Sequence, residues 1–160
     1  MSSAELASSP ATRAVRRFAV AWRNRQRRAI TPVGVLDYWE GRYRFQYLDG
    51  VGSSAEGFRP FIGFPDFDRV YESVRLWPFF GLRVMDHKRP DFPQYVQWLG
   101  LTVEASRLDI LSRSGGERKG DSVLLAESPA VTEGGATEAI FLVRGVSYAV
   151  RQHGTEAVAG

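Results

Sequence analysis

The run Gly115-Gly116-Glu117-Arg118-Lys119-Gly120 has the G-x-x-x-x-G spacing of a phosphate-binding loop. In such a loop the next residue is a lysine that neutralises phosphate charge. Here it is Asp121, which would repel it. The preceding residues read as a helix, whereas a phosphate loop follows a strand. The run is therefore expected to be a helix C-cap turning into a strand, with glycine taking positive φ. Asp121 and Ser122 are expected to hydrogen-bond the amides of the turn.

The other reactive types are sparse. His87 and His153 are the only histidines and there is no cysteine, so neither histidine has a partner at metal-ligand spacing. His87 lies in the polar run Asp86-His87-Lys88-Arg89, which reads as a solvated turn. Asp66, Asp68 and Glu72 group together, but helix capping and i,i+4 pairing account for them more simply than acid–base chemistry does. No nucleophile-elbow motif is present. The sequence thus assigns no catalytic, cofactor-binding or metal-binding residue, and the chain reads as a non-enzyme without a cofactor.

Two clusters carry binding chemistry instead. The first is basic. Arginine outnumbers lysine 19 to 2 across the chain, and seven arginines precede residue 29 against the single acid Glu5. The remainder carries 14 basic and 17 acidic groups, so the excess positive charge sits at one end. Arg23, Arg25, Arg27 and Arg28 could meet phosphates or an acidic protein surface. No aromatic stacking pattern accompanies them in sequence, which favours a solvated Arg-rich turn. The second cluster is aromatic, Leu76-Trp77-Pro78-Phe79-Phe80-Gly81-Leu82-Arg83. It reads first as core, but the number of large aromatics leaves room for an exposed protein-binding face.

The elements that position these clusters follow from periodicity. Phe18–Trp22, Ile30–Tyr38 and Tyr43–Tyr47 alternate as strands and predict a three-stranded antiparallel meander, with Gly34 permitting a bulge or close packing. Residues 49–57 read as a loop, and Pro60, Gly63 and Pro65 keep the next segment irregular despite Phe58, Phe61, Phe64 and Phe67. Asp66 could cap a short helix holding Val70 and Tyr71. Further helices are expected from Pro78, from Asp91 to Gly100, and from Ser106. Ser122–Ala126 and Ala139–Val143 are apolar strands expected to pair as a C-terminal hairpin, which Gly145–Tyr148 would extend. The sum is an α+β fold, a small antiparallel sheet packed against about three short helices. One domain is expected over 17–148, between flexible tails at 1–16 and 149–160.

Composition fits a globular chain of 160 residues with 44% hydrophobic and 12% aromatic content, enough for one core. No apolar run approaches the roughly 20 residues of a membrane span. The N-terminus lacks a secretory pattern, and its Arg richness follows the bias of the whole chain rather than a transit peptide. The absence of cysteine makes a reducing cytoplasm the default expectation.

Several motifs fall in one family's order: Val33-Gly34-Val35-Leu36, Tyr43-Arg44-Phe45-Gln46-Tyr47, Phe79-Phe80-Gly81-Leu82-Arg83, Ile110-Leu111-Ser112-Arg113-Ser114-Gly115-Gly116 and Asp121-Ser122-Val123. Together they resemble the N-terminal subdomain of HipA-type toxin kinases, over roughly residues 17–128. Gly81-Leu82 departs from the family, where an Asn often follows the aromatic pair. Phe61–Asp66, Arg89-Pro90-Asp91 and Phe141–Tyr148 are similar to bacterial proteins that carry this module ahead of a HIRAN domain, of which only the beginning is matched. The resemblance implies a bacterial, non-catalytic protein-interaction or regulatory module, an antitoxin-like or accessory subunit for a HipA-like kinase. Its contacts would use Trp77, Phe79, Phe80, Arg83, Arg113, Asp121 and Ser122. The alternative is nucleic-acid association through Arg23, Arg25, Arg27 and Arg28, as in a truncated HIRAN protein. No membrane partner is expected.

Overall fold

The computed structural model describes residues 14–118, 122–128, 131–132, 138–143 and 146–151. Its sheet is built around β1 (Ala14–Arg23), β2 (Ile30–Trp39) and β3 (Arg42–Tyr47), the expected meander. β4 (Tyr71–Ser73) adds to the outer edge of β3, and β5 (Val123–Glu127) adds to the free edge of β1. The order is therefore β4-β3-β2-β1-β5, antiparallel throughout. The short β6 (Val131–Thr132) pairs with the first residues of β1, while β7 (Glu138–Val143) and β8 (Val146–Arg151) form a separate two-stranded sheet.

Alternation sends Phe18, Val20, Leu36, Phe45 and Tyr47 to one face of this sheet. Ala19, Ala21, Val35 and Leu124 go to the other. Between β1 and β2 the register slips: Val20 faces Gly34 but Ala21 faces Pro32, which leaves Val33 as a bulge. The slip puts Val33 into the same core as Leu36, which strict alternation would forbid. Gly34 is there for space, because a Cβ would stand 2.7 Å from Cε1 of the buried Phe45 ring.

The Phe45 face is covered by the irregular segment that follows β3. Phe58, Phe61, Phe64, Tyr71, Leu76 and Phe80 pack on it, so aromatic contact rather than a helical stripe anchors this stretch. Within it lie α1 (Val51–Ser54) and α2 (Pro78–Gly81), each one turn long. Pro78 opens α2 as expected. α3 (Phe92–Trp98) and α4 (Arg107–Ser114) pair through Phe92, Val96 and Ile110, and α4 turns Leu108 and Leu111 into the main core.

Ion pairs tie these layers together. Arg17 and Asp37 face each other across β1 and β2 and join by two bonds, Nε–Oδ1 at 2.8 Å and Nη2–Oδ2 at 3.0 Å, with both side chains almost wholly buried. Breaking one partner of such a pair costs roughly 3–5 kcal/mol, because the other charge is left buried alone. Ser106 caps α4 by a reciprocal box: its Oγ accepts from the Asp109 amide at 3.1 Å, and Asp109 Oδ2 accepts from the Ser106 amide at 3.0 Å. Arg16 then joins Asp109 to Glu127 on β5, at 2.9 and 2.8 Å. The backbone amide of Ser106 and the Arg16 guanidinium hold the Asp109 carboxyl below its ordinary range.

Several sequence expectations are corrected. Tyr71 lies in strand β4, not in a helix capped by Asp66, because its partner Phe45 recruits it across β3. Asp66 instead accepts the Asp68 amide at 2.8 Å, and Glu72 pairs with Arg44 of β3 at 2.9 Å. Asp91 precedes α3 but makes no side-chain cap; Arg89 holds its carboxylate at 3.1 Å. α1 falls in the expected loop, and β1 begins at Ala14, ahead of the expected Phe18. β5 does not pair with β7: it joins β1 across the sheet, and the C-terminal hairpin is β7 with β8. Among the described residues no helix is long and apolar enough to cross a membrane.

Candidate functional site

Four separate chain segments meet at one open cleft of about 590 Å³. Its floor is aromatic. Trp22 comes from the end of β1, Phe58 and Phe61 from the irregular segment, and Phe79 from α2. Their rings form a continuous chain: Trp22 to Phe58 at 5.4 Å, Phe58 to Phe61 edge-on at 5.1 Å, and Phe61 to Phe79 stacked at 4.6 Å. The walls hold Arg25, Arg59, Arg83 and Arg118, and among the described lining residues there is no carboxylate.

The floor is set by Tyr47. Its fully buried hydroxyl accepts the Phe61 amide at 2.8 Å and donates to the Phe64 carbonyl at 2.7 Å. Both backbone groups sit in a stretch with no strand or helix to satisfy them, so this one hydroxyl fixes the turn. Burial pushes the phenol up to about 12, against the opposing bond from Phe61, so it keeps its proton and its donor role.

Arg83 is the fixed cation of the wall. Its Nε donates to the Phe79 carbonyl at 3.1 Å and its Nη1 to the Gly116 carbonyl at 3.3 Å. Its guanidinium lies 4.7 Å from the centroid of the Phe79 ring. Arg25 is placed by Ser122, whose Oγ accepts its Nε at 3.2 Å and whose carbonyl accepts the Arg23 amide at 2.7 Å. Arg59 and Arg118 are exposed, and among the described residues neither has an ion-pair partner. Ile62 stands at the mouth, 89% exposed.

The two sequence-derived sets are thus redistributed. From the protein-binding set, Phe79, Arg83 and Ser122 line the cleft. Phe80 is fully buried, and Trp77 packs edge-on against Phe64 at 5.2 Å. Arg113 bonds the Leu99 carbonyl at 3.2 Å, tying α4 to the end of α3. Asp121 lies outside the described residues. From the basic set, Arg25 lines the cleft. Arg23 pairs with Glu117 at 3.0 Å and Arg27 with Glu56 at 2.7 Å, and Arg28 is exposed. Of the four arginines only Arg25 shares the cleft lining with aromatic residues: Trp22 from the end of β1, and Phe58, Phe61 and Phe79 from distant positions. Sequence reasoning missed Phe58, Arg59, Phe61 and Arg118 as site residues. The alternation of basic and aromatic types in Phe58-Arg59-Pro60-Phe61 was the available signal.

A second groove of about 490 Å³ runs beside α2 and α4, between the exposed Leu82 and Val103. His87 lies on it, exposed and 3.7 Å from Asp86. Among the described residues no group of three His, Asp or Glu could hold a metal ion. No protein-family model, curated protein or solved structure matches the chain.

Proposed function

We propose that the chain is a binding module rather than an enzyme, and that its working surface is the arginine-walled cleft, which takes an anionic partner. One observation carries this reading. The exposed Arg59 and Arg118, neither with an ion-pair partner among the described residues, line a single concavity whose described lining offers no carboxylate. Like charges held together repel one another, and an anion seated among them relieves that repulsion.

Titration calorimetry with inorganic polyphosphate at low salt tests the reading. Binding is expected, and Arg59→Ala with Arg118→Ala should weaken it about tenfold, while Arg75→Ala, exposed and outside the cleft lining, leaves it unchanged. No heat of binding, or equal loss in all variants, would reject the cleft as the site.

A second reading follows the resemblance to the HipA-type subdomain, with a HipA-like kinase or other protein as partner. It is favoured by large apolar side chains held in water around the helices, Trp98 at 81% exposed and Leu82 at 69%. The residues first expected to make that contact are largely committed to the core or to the cleft, which is why it ranks second.

A further inference from the structure

We propose that the groove beside α2 and α4 docks an acidic amphipathic helix of a partner protein, resting on the protein-partner reading above and not on the cleft. The groove holds about 490 Å³ and presents two large aliphatic side chains to water, Leu82 at 69% exposed and Val103 at 57%. Its floor is closed by Phe92 and Ile110, which the core already covers. The surface left for a partner is therefore the two lips, with the partly buried Val84, Met85 and Ala105 also lining the groove.

Both lips are held in place by the backbone. Leu82 follows the single turn of α2, and its amide donates to the Pro78 carbonyl at 2.9 Å. Val103 sits in a turn closed by the Ala105 amide on the Thr102 carbonyl at 3.0 Å, and Thr102 Oγ1 accepts the Glu104 amide at 3.3 Å. The capping box of Ser106 and Asp109 follows directly and begins α4. Apolar side chains presented by ordered backbone need little further ordering when they are covered. A small amphiphile on the floor would leave the outer faces of both lips wet. A helix with an apolar row at i, i+3, i+4 and i+7 reaches both and buries them.

Charge selects the class of helix. Lys88 and Arg107 line the groove from two segments, both exposed, and among the described residues neither has an ion-pair partner. Arg107 reaches from α4 to α2, its Nη1 3.5 Å from where a Cβ on Gly81 would stand. Asp86 is the one carboxylate among the described lining residues, and its Oδ1 already accepts the Lys88 amide at 2.9 Å. The excess is positive, so acidic residues flanking the apolar row are attracted and lysines are repelled. A second copy of this chain is disfavoured on the same ground, since a two-fold pair would set the positive lining against itself.

Fluorescence anisotropy at low salt with a labelled helical peptide tests this, its leucines on one face and glutamates flanking them. Two control peptides replace the leucines by serine or the glutamates by lysine. The acidic leucine peptide should bind, and each control should bind at least about tenfold more weakly. Leu82→Ser with Val103→Ser should weaken the acidic peptide by about tenfold, and circular dichroism checks that this exposed pair leaves the fold intact. Lys88→Glu with Arg107→Glu should reverse the charge preference, so that the lysine peptide binds the tighter. Arg59→Ala with Arg118→Ala should leave the peptide's affinity unchanged, which keeps the result separate from the cleft. Peptide binding that neither groove variant alters overturns the groove and leaves a protein partner standing. Equal affinity for the acidic and lysine peptides overturns the acidic helix. A dimer of the parent chain that the serine pair dissolves, or decanoate binding in the peptide's place, gives the groove to another occupant and overturns it as well. No binding of the acidic leucine peptide overturns both the groove and the protein-partner reading.

Discussion

Tyr47 holds two backbone groups under the cleft with one buried atom. Its hydroxyl closes the backbone of Phe61 and Phe64 inside the aromatic layer, so it sets where Phe61 stands in the cleft floor. Tyr47→Phe keeps the ring and its edge contact with Phe45 at 5.0 Å, but leaves a buried amide and a buried carbonyl without a partner. Each such group costs about 1–3 kcal/mol. The variant should therefore lose about 2 kcal/mol of stability or more, read as a lower denaturant midpoint with the slope unchanged. The pH sign is also defined. The folded phenol titrates above its unfolded value, so its contribution is complete below about pH 10 and is lost as pH rises toward about 12. Stability measured between pH 9 and 11 should fall less steeply in Tyr47→Phe than in the parent. Equal slopes would remove Tyr47 as the buried titrating group.

At the scale of elements, the joint between α4 and β5 shows why the glycine-rich run is a structural device. Gly116 has φ of +64°, and a Cβ there would lie 2.8 Å from Leu125 Cδ1 and 3.5 Å from Arg83 Cδ. The carbonyl of the same residue receives Arg83, so the joint also aims a wall of the cleft. Gly116→Ala should destabilise by at least about 1–2 kcal/mol from the backbone conformation alone, lowering the melting temperature, and it should also weaken polyphosphate binding. A variant that melts lower yet binds normally would separate the joint from the cleft. The meander was legible because Phe18–Trp22 and Tyr43–Tyr47 carry period-two alternation within one strand. The partner of β5 was not, because pairing with β1 is set across more than 100 residues of chain, as Ala19 opposite Ala126 illustrates. Tyr71 was read as helical for the same reason: three residues hold too little periodicity, and the edge of β3 decides. The cleft was partly legible. Its residues were present in two groups that seemed unrelated, and only the fold of the irregular segment over the sheet brings Phe79 and Arg25 to one place.

At the scale of the whole molecule, the cleft is a junction of the β1–β2 turn, the segment from Gly57 to Ile62, α2, and the approach to β5. None of these holds its position alone: the turn is tied to Ser122, the segment to Tyr47, and α2 to the α4–β5 joint through Arg83. A ligand that requires all four walls binds only the folded state, so its binding energy adds to global stability as RT ln(1 + [L]/Kd). At a ligand concentration of about 100 Kd the gain is about 2.7 kcal/mol, and for a chain of this size each kcal/mol raises the melting temperature by roughly 2–4 °C. Saturating inorganic polyphosphate at low salt should therefore raise the melting temperature by several degrees. The net charge of +3 and its concentration near the N-terminal strands make this gain electrostatic in origin, so raising the salt should erase it. The alternative is a ligand that touches only the exposed arginines of the turn, which needs no assembled cleft and would stabilise little. Hydrogen exchange separates the two. New protection should appear together at residues 22–25, 57–62 and 79–83 if the cleft is the site, and protection confined to 23–28 would move the site to the turn.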